Sequence, residues 1–289
     1  MTTQPYAVST VPAGATYNSH AELLEPSAPE TGTASATERS LLPGVARGRK
    51  ALVPYVTGGV TAGWTDYLRA FEAAGADAIE IGLPFSDPVL DGATIQEASD
   101  HALARGATVA SILADISAAR IGVPLIVMTY ANLVFRAGAA AFCRRLAEAG
   151  VAGLIVSDLP VDEATEVEAA AAAAGIALIL LVAPVTPDDR LAEIARRASG
   201  YLYAISVMGT TGERDSLAGT AVALAARVKA ASDLPVLVGF GISTPAQAVE
   251  ATAVADGVVV ASALMRRILD GATPDELAVD IAGMRRALG

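Results

Sequence analysis

Two carboxylates are the strongest candidates for chemistry in this sequence. Glu80 interrupts the apolar run Ala78–Leu83, and Asp91 lies in the loop that follows, between Pro88 and Gly92. A carboxylate in a buried strand is costly unless it is paired, neutralised or used. Two carboxylates in different environments are what acid–base catalysis needs. Spacing alone leaves a structural alternative open, in which backbone donors satisfy Glu80 and Asp91 belongs to a turn.

Three loops that contain glycine or serine follow the last three predicted strands. They are Gly209–Gly212, Gly239–Ser243 and Ala261–Leu264. Glycines let backbone N–H groups approach an anion, and Ser262 is placed to cap a short helix whose N-terminus favours negative charge. Each loop alone could be a tight turn. Together they match the phosphate site that a (β/α)8 barrel carries after its late strands.

The elements that must position these residues alternate between short apolar runs and helical segments. The runs are continuously apolar, which indicates strands that are buried on both faces. The predicted strands are Ala51–Thr57, Ala78–Leu83, Leu125–Thr129, Gly153–Val156, Ala177–Val182, Tyr201–Ser206, Val236–Gly239 and Gly257–Val260. The predicted helices are Trp64–Ala74, Ile95–Ala119, Ala139–Ala149, Asp162–Ala174, Asp188–Ala198, Leu217–Ala231 and Pro245–Val254, with a last helical region at Ala263–Leu288.

This repetition predicts a single-domain (β/α)8 TIM barrel of the α/β class. The alternative is a doubly wound open sheet, which carries a G-x-G-x-x-G turn after its first strand. Thr57–Val60 lacks that pattern. In the barrel, Glu80 would point inward from the second strand if Ile79 and Ile81 point outward. Asp91 would then lie in a loop at the catalytic end.

Composition excludes several classes of function. The 289 residues carry a net charge of −11 and show no basic face, which argues against a nucleic-acid partner. The single cysteine, Cys143, excludes a disulfide framework and indicates a reducing compartment. His20 and His101 do not form a spaced ligand set, so no metal site is predicted. The uncharged run Ala169–Pro187 is interrupted by glycine and proline, so we interpret it as helix, turn and strand rather than as a membrane span.

The first residues of the chain differ from the rest. Residues 1–37 are rich in Pro, Ser, Thr and Ala and have no apolar period, which predicts a flexible extension. Residues 38–289 form the predicted catalytic domain, which Glu38–Gly48 opens with a short helix. The extension lacks the basic start and apolar core of a secretion signal, so a cytoplasmic protein is expected.

The segment Glu80–Gly92, Glu-Ile-Gly-Leu-Pro-Phe-Ser-Asp-Pro-Val-Leu-Asp-Gly, closely resembles the signature of the tryptophan synthase alpha subunit family. The resemblance covers roughly residues 38–289 and includes Tyr130–Phe135, Ser157–Pro160 and the three loops above. It implies a barrel that cleaves indole-3-glycerol phosphate to indole and glyceraldehyde 3-phosphate without a cofactor of its own.

The resemblance also assigns the site. Glu80 would transfer protons at the indole C3 and at the glycerol hydroxyl, since apolar surroundings raise a carboxyl pKa. Asp91, kept ionised in its loop, would bind the ring N–H. The implied substrate contacts are Tyr55, Tyr130, Tyr203, Thr211 and Phe240, and the implied phosphate contacts are Gly212, Gly241, Ala261 and Ser262.

The family's partner is a beta subunit that carries pyridoxal phosphate, and the implied assembly is an α2β2 heterotetramer. A stand-alone lyase that releases free indole is the alternative. A non-catalytic activator would not need both carboxylates, and a Schiff-base aldolase would need a lysine at a strand end, where neither Lys50 nor Lys229 lies. Ala93 stands where the family usually has proline, Thr210 where valine is common and Ala261 where glycine is usual. The loop after strand one also departs from the pattern.

Overall fold

The computed structural model describes residues 40–205, 214–239 and 241–289. These residues form nine parallel strands in one sheet: β1 (Ala51–Thr57), β2 (Ile79–Gly82), β3 (Leu125–Thr129), β4 (Gly153–Val156), β5 (Ala177–Leu178), β6 (Leu180–Val182), β7 (Leu202–Ala204), β8 (Val236–Val238) and β9 (Gly257–Val260). Hydrogen-bonded neighbours follow the order β5-β4-β3-β2-β1-β9-β8-β7-β6. The predicted flexible extension, residues 1–37, lies outside the described residues.

The sheet closes where the predicted fifth strand, Ala177–Val182, divides into two pieces around Ile179. The strand changes its neighbour there, because β5 pairs with β4 whereas β6 pairs with β7. β5 and β6 are the two ends of the strand order, yet they are consecutive in the chain. The nine strands therefore occupy eight positions around a barrel, and the predicted (β/α)8 fold is confirmed.

Eleven helices of the described chain cover the barrel. They are α1 (Trp64–Ala73), α2 (Ala93–Ala104), α3 (Val109–Ala119), α4 (Ala131–Ala137), α5 (Ala139–Glu148), α6 (Thr165–Ala174), α7 (Asp188–Arg197), α8 (Arg214–Ala231), α9 (Pro245–Ala251), α10 (Ser262–Leu269) and α11 (Pro274–Leu288). Among the described residues no single helix is long and apolar enough to span a membrane. Within the same described ranges, α2 and α3 taken together reach that length and apolarity, but they are bent by 95° at their junction.

Two predicted helices are each divided in the structure. Ile95–Ala119 becomes α2 and α3, because Gly106 leaves helical geometry at φ +83° and Thr108 caps the next helix. Ala263–Leu288 becomes α10 and α11, because Thr273 begins a second helix with its own capping box. Both breaks use ordinary cap chemistry, which Ala-rich periodicity hides.

The structure differs from the predicted helices in two further places. Within the described part of Glu38–Gly48, only Val45–Arg47 is helical, as one 3-10 turn. Helix α4 was not predicted. The backbone N–H of Ala131 donates to the Asp158 Oδ1 at 2.6 Å, so the cap of α4 comes from the loop after β4. A cap that lies 27 residues away leaves no local signal.

The strands separate an inner core from an outer one. Val53, Ile126 and Ile155 belong to the inner cluster, which fills the barrel together with Tyr201 and residues of the later strands. The outer cluster lies between the strands and the helices, and Ile79 and Ile81 belong to it. This alternation sends every second residue of β2 into the barrel.

Candidate active site

Glu80 lies inside the barrel because of the alternation along β2. Its Cα is the register partner of Tyr55 on β1 and of Ile126 on β3. The side chain is fully buried. Neither carboxylate oxygen has a hydrogen-bond partner within the described part of the chain, so no described backbone donor satisfies it, contrary to the structural alternative. Without a donor or a counter-charge, a buried carboxyl strongly favours its neutral form.

The pKa of Glu80 reflects this environment. Burial, and secondarily the charge of Asp91, raises it to about 8. At neutral pH the carboxyl therefore keeps a proton that it can donate, and its conjugate base can take a proton back. A pKa close to the working pH is what a group that serves as both acid and base requires.

Asp91 is held by a compact turn at the C-terminal end of β2. Its backbone N–H donates to the Pro88 carbonyl at 3.0 Å, and its own carbonyl accepts from Gln96 Nε2 at 2.8 Å. The N–H of Leu90 donates to the Tyr130 hydroxyl at 3.1 Å. The turn is therefore fixed from two sides, by α2 through Gln96 and by the end of β3 through Tyr130.

The pKa of Asp91 is raised, although the group is ionised at neutral pH. Burial raises this pKa to about 6, while the hydrogen bond from Tyr130 lowers it. Asp91 thus gives up its proton before Glu80 does. Between about pH 6 and pH 8 the site holds one carboxylate and one carboxylic acid. That pairing of states is suited to acid–base chemistry.

A cavity of about 300 Å³ lies at the ends of β8 and β9. Helix α10 begins there at Ser262, and the helix start has no side-chain cap. Its first-turn N–H groups have no partner inside the helix, and the helix dipole favours an anion at this end. The cavity is lined by Tyr203, Gly239, Gly241, Ile242, Ser243, Val259, Ala261, Ser262 and Ala263. Its size and its donors suit a phosphate.

Two tyrosines lie across the strand ends, each over a glycine of the neighbouring strand. A β-carbon on Gly82 would lie 1.8 Å from the Tyr55 hydroxyl oxygen, and one on Gly239 would lie 2.2 Å from that of Tyr203. Only glycine leaves room for these rings. The Tyr55 hydroxyl also lies 3.3 Å from the Thr57 Oγ1.

The predicted site residues fall into two groups in the structure. Tyr55 and Tyr130 surround the two carboxylates on the side of β1 to β3, with contacts given above. Tyr203, Gly241, Ala261 and Ser262 line the cavity at the other side. Three predicted residues, Thr211, Gly212 and Phe240, lie outside the described residues, as does Thr210.

Sequence reasoning assigned no role to three polar residues in the barrel interior and at its C-terminal end. Gln96 binds the Asp91 carbonyl. Tyr201 and Ser157 have buried hydroxyl oxygens with no hydrogen-bond partner among residues 40–205, 214–239 and 241–289. Strand alternation could have placed both hydroxyls on the inner face. No pattern in the sequence could have shown the Gln96 contact, since it depends on the path of the Asp91 turn.

Comparison with known proteins places this geometry in context. A family model described as "Tryptophan synthase alpha chain" matches residues 44–284. The tryptophan synthase alpha chain of Chloroflexus aurantiacus is 44% identical over 228 residues, which are 77% of this chain and 86% of that protein. That of Streptomyces coelicolor is 42% identical over 259 residues, which are 88% of this chain and 94% of that protein.

Solved structures show the same likeness. A structure of Mycobacterium tuberculosis tryptophan synthase matches with a TM-score of 0.78 and 39% identity, over 86% of this chain and 98% of the other. A structure of the tryptophan synthase α2β2 complex of Pyrococcus furiosus matches with a TM-score of 0.76 and 35% identity, over 82% of this chain and 98% of the other.

Proposed function

The chain belongs to the tryptophan synthase alpha chain family, and from that premise we propose that it cleaves indole-3-glycerol phosphate to indole and glyceraldehyde 3-phosphate. It does so as the alpha subunit of tryptophan synthase, in tryptophan biosynthesis. One observation carries the proposal. The Glu80 carboxyl is fully buried, has no hydrogen-bond partner in the described chain, and keeps its proton at neutral pH.

Glu80 acts twice in the proposed reaction. Its carboxylic acid first protonates C3 of the indole ring, which leaves positive charge at the ring nitrogen. The resulting carboxylate then takes the proton of the glycerol hydroxyl next to C3. As that oxygen becomes the aldehyde, the bond to C3 breaks and its electron pair restores the aromatic ring. Glu80 ends the cycle protonated, as it began.

Asp91 stabilises the charge that develops at the ring nitrogen. Its carboxylate accepts a hydrogen bond from the ring N–H. A charge-assisted hydrogen bond of this kind strengthens as the ring becomes cationic. The turn held by Gln96 and Tyr130 fixes the carboxylate beforehand, so little reorganisation is needed. The phosphate binds at the start of α10, with Gly241, Ala261 and Ser262 around it. Gly212 completes this phosphate binding in the proposal, and Thr211 helps to close its loop over Asp91. Tyr55, Tyr130, Tyr203 and Phe240 contact the substrate.

A beta subunit is the proposed partner. Apolar side chains are exposed beside the Asp91 loop, with Val89 79% and Leu90 57% exposed, and Phe135 on α4 is 42% exposed. Exposed apolar residues beside a site are typical of a docking surface. The likeness to the P. furiosus complex supports an α2β2 assembly. In this proposal pyridoxal phosphate belongs to the beta subunit and this chain binds no cofactor. The single cysteine supports a cytoplasmic location.

The decisive experiment is an assay of indole release from indole-3-glycerol phosphate, with and without a purified beta subunit. We expect a basal rate that Glu80→Gln removes and that the beta subunit increases. A wild-type chain that releases no indole under either condition would contradict the lyase. A rate that the beta subunit leaves unchanged would instead favour the stand-alone lyase.

A further inference from the structure

Ser157 continues the inner face of β4 beyond the end of that strand. Its backbone N–H donates to the Thr129 carbonyl at 2.9 Å, which extends the pairing of β4 with β3 by one residue. Ile155, two residues earlier, belongs to the inner cluster. Alternation therefore directs the Ser157 side chain inward as well. It follows the C-terminal end of its strand, at the end of the barrel where Glu80 and the cavity lie.

Apolar side chains surround Ser157 at the open, C-terminal end of the barrel, which we call the mouth. Met128 on β3 and Leu181 on β6 also face inward, and all three residues are partly exposed. The Ser157 Oγ itself is covered and has no hydrogen-bond partner in the described ranges. A buried hydroxyl without a partner is unfavourable. A change of its χ1 between staggered rotamers would turn the oxygen into the mouth.

The barrel order gives Ser157 a defined relation to the substrate. β4 is four positions from β9 in either direction around the eight positions of the barrel, so the two strands face each other across the mouth. Ala261 and Ser262, after β9, line the phosphate cavity. A substrate with its phosphate there and its reacting atoms at Glu80 extends its far end toward β4. That end is the six-membered part of the indole ring.

We propose that Ser157 is a specificity-determining residue, whose hydroxyl favours an indole ring that carries a hydrogen-bonding substituent, such as a hydroxyl, on its six-membered part. This inference rests on the proposed lyase function, since that function sets the orientation of the ring. The substituent supplies the partner that the Ser157 hydroxyl lacks. That hydrogen bond offsets the cost of removing the substituent from water, which an apolar side chain at this position would not offset.

Thr129 offers a matched control. Its Oγ1 is likewise buried and unpartnered within the described residues. Thr129 follows Leu125 and Val127 in alternation on β3, and both belong to the outer cluster. Its hydroxyl therefore faces the helical layer, away from the mouth. Ser157→Ala and Thr129→Val each remove one such hydroxyl, from opposite faces of the barrel wall.

The test uses the reverse reaction of the full chain. C3 of the ring bonds to the aldehyde carbon of glyceraldehyde 3-phosphate, the aldehyde oxygen gains a proton, and C3 loses one. Indole is compared with 4-, 5-, 6- and 7-hydroxyindole. We expect at least one hydroxyindole to react about as well as indole, and Ser157→Ala to lower its kcat/KM relative to indole roughly tenfold. Thr129→Val should leave that ratio unchanged.

A ratio that stays within about twofold for every isomer in Ser157→Ala would overturn the inference, as would an equal loss in Thr129→Val. Calorimetric titration of the same rings into wild type and Ser157→Ala, with inorganic phosphate present, gives an independent readout. If the wild type condenses no indole, the lyase proposal fails. The relative affinities of the rings for the two proteins still decide the role of Ser157.

Discussion

Asp77 and Glu80 are three residues apart at the second strand, yet their carboxylates have opposite surroundings. Asp77 accepts from Arg49 Nε at 2.9 Å, from Arg285 Nη1 at 2.8 Å and from the Leu52 N–H at 2.9 Å. Glu80 has no partner within the described chain. Asp77 precedes the strand, at the N-terminal end of the barrel, whereas Glu80 lies within the strand and faces the barrel interior.

This difference separates stability from function over a distance of three residues along the chain. The Asp77 carboxylate joins β1, β2 and the last helix, and a satisfied ionic network of this kind ties chain segments together. The Glu80 carboxyl joins no other segment by a hydrogen bond within the described chain. Its burial raises the free energy of its ionised form. In barrels of this type the N-terminal face contributes stability and the C-terminal face carries chemistry. Here Asp77, just before β2, lies at the stabilising end of the barrel, and Glu80, within β2, lies closer to the end that carries chemistry.

The largest expected effect comes from Glu80→Gln. The amide keeps the shape of the side chain but cannot transfer the proton, so kcat for indole release should fall about 1,000-fold. The far-UV circular dichroism and the cooperative melt should remain those of a folded barrel. A variant that is folded and keeps more than a tenth of the rate would show that another group carries the proton.

Asp91→Asn should have the next largest effect. Loss of the carboxylate removes the charge that stabilises the cationic ring, and kcat should fall roughly 100-fold. The pH profile supplies a second readout. The wild-type kcat/KM should fall below about pH 6, as Asp91 gains a proton, and above about pH 8, as Glu80 loses one. The residual activity of Asp91→Asn should lose only the acid limb. An acid limb that persists would assign it to another group.

Substitution of Asp77, the paired carboxylate, should lower stability and leave the reaction rate unchanged. Asp77→Asn leaves Arg285, whose side chain is only 12% exposed, without its counter-charge. Breaking such a pair should lower the free energy of unfolding by about 3 kcal/mol, measured by urea titration. The kcat per folded molecule should not change, because the site lies at the other end of the barrel. A large loss of kcat in the folded variant would mean that the two ends are coupled.

The fold and the inward position of Glu80 could be predicted from the sequence because they depend on local patterns. Continuous apolar runs predict buried parallel strands, and alternation predicts that Glu80 faces inward. The change of neighbour at Ile179 was not predictable, since it depends on which strands lie on either side. The cap of α4 by Asp158 is a contact between two loops and gives no local signal either.

The surroundings of the two carboxylates were predictable only in part. Apolar neighbours in the sequence indicate a raised pKa for Glu80. The pairing of Asp77 with Arg285 joins residues 208 positions apart, and no sequence pattern near either residue indicates it. The raised pKa of Asp91 also depends on the three-dimensional path of its turn, which buries the carboxyl beside Tyr130. Sequence therefore identifies charged groups more readily than it identifies their partners.

The smallest expected effect is on the pH dependence of the free energy of unfolding, to which Glu80 contributes. In the unfolded chain the pKa of Glu80 is near its ordinary value of 4.5, whereas in the folded protein it is about 8. Between these values the folded protein keeps a proton that the unfolded chain has lost. Folding therefore takes up a proton, and the stabilisation, complete below pH 4.5, is lost as the pH rises through 8.

From pH 5 to pH 7 this linkage should lower the free energy of unfolding of the wild type by roughly 2 kcal/mol relative to Glu80→Gln, which carries no titrating group there. Asp91, whose pKa is also raised, titrates in both proteins, so subtracting their urea-unfolding free energies at each pH leaves mainly the contribution of Glu80. Parallel pH dependences would mean that Glu80 is ionised in the folded protein near neutral pH. Its role as the first proton donor would then have to pass to another group.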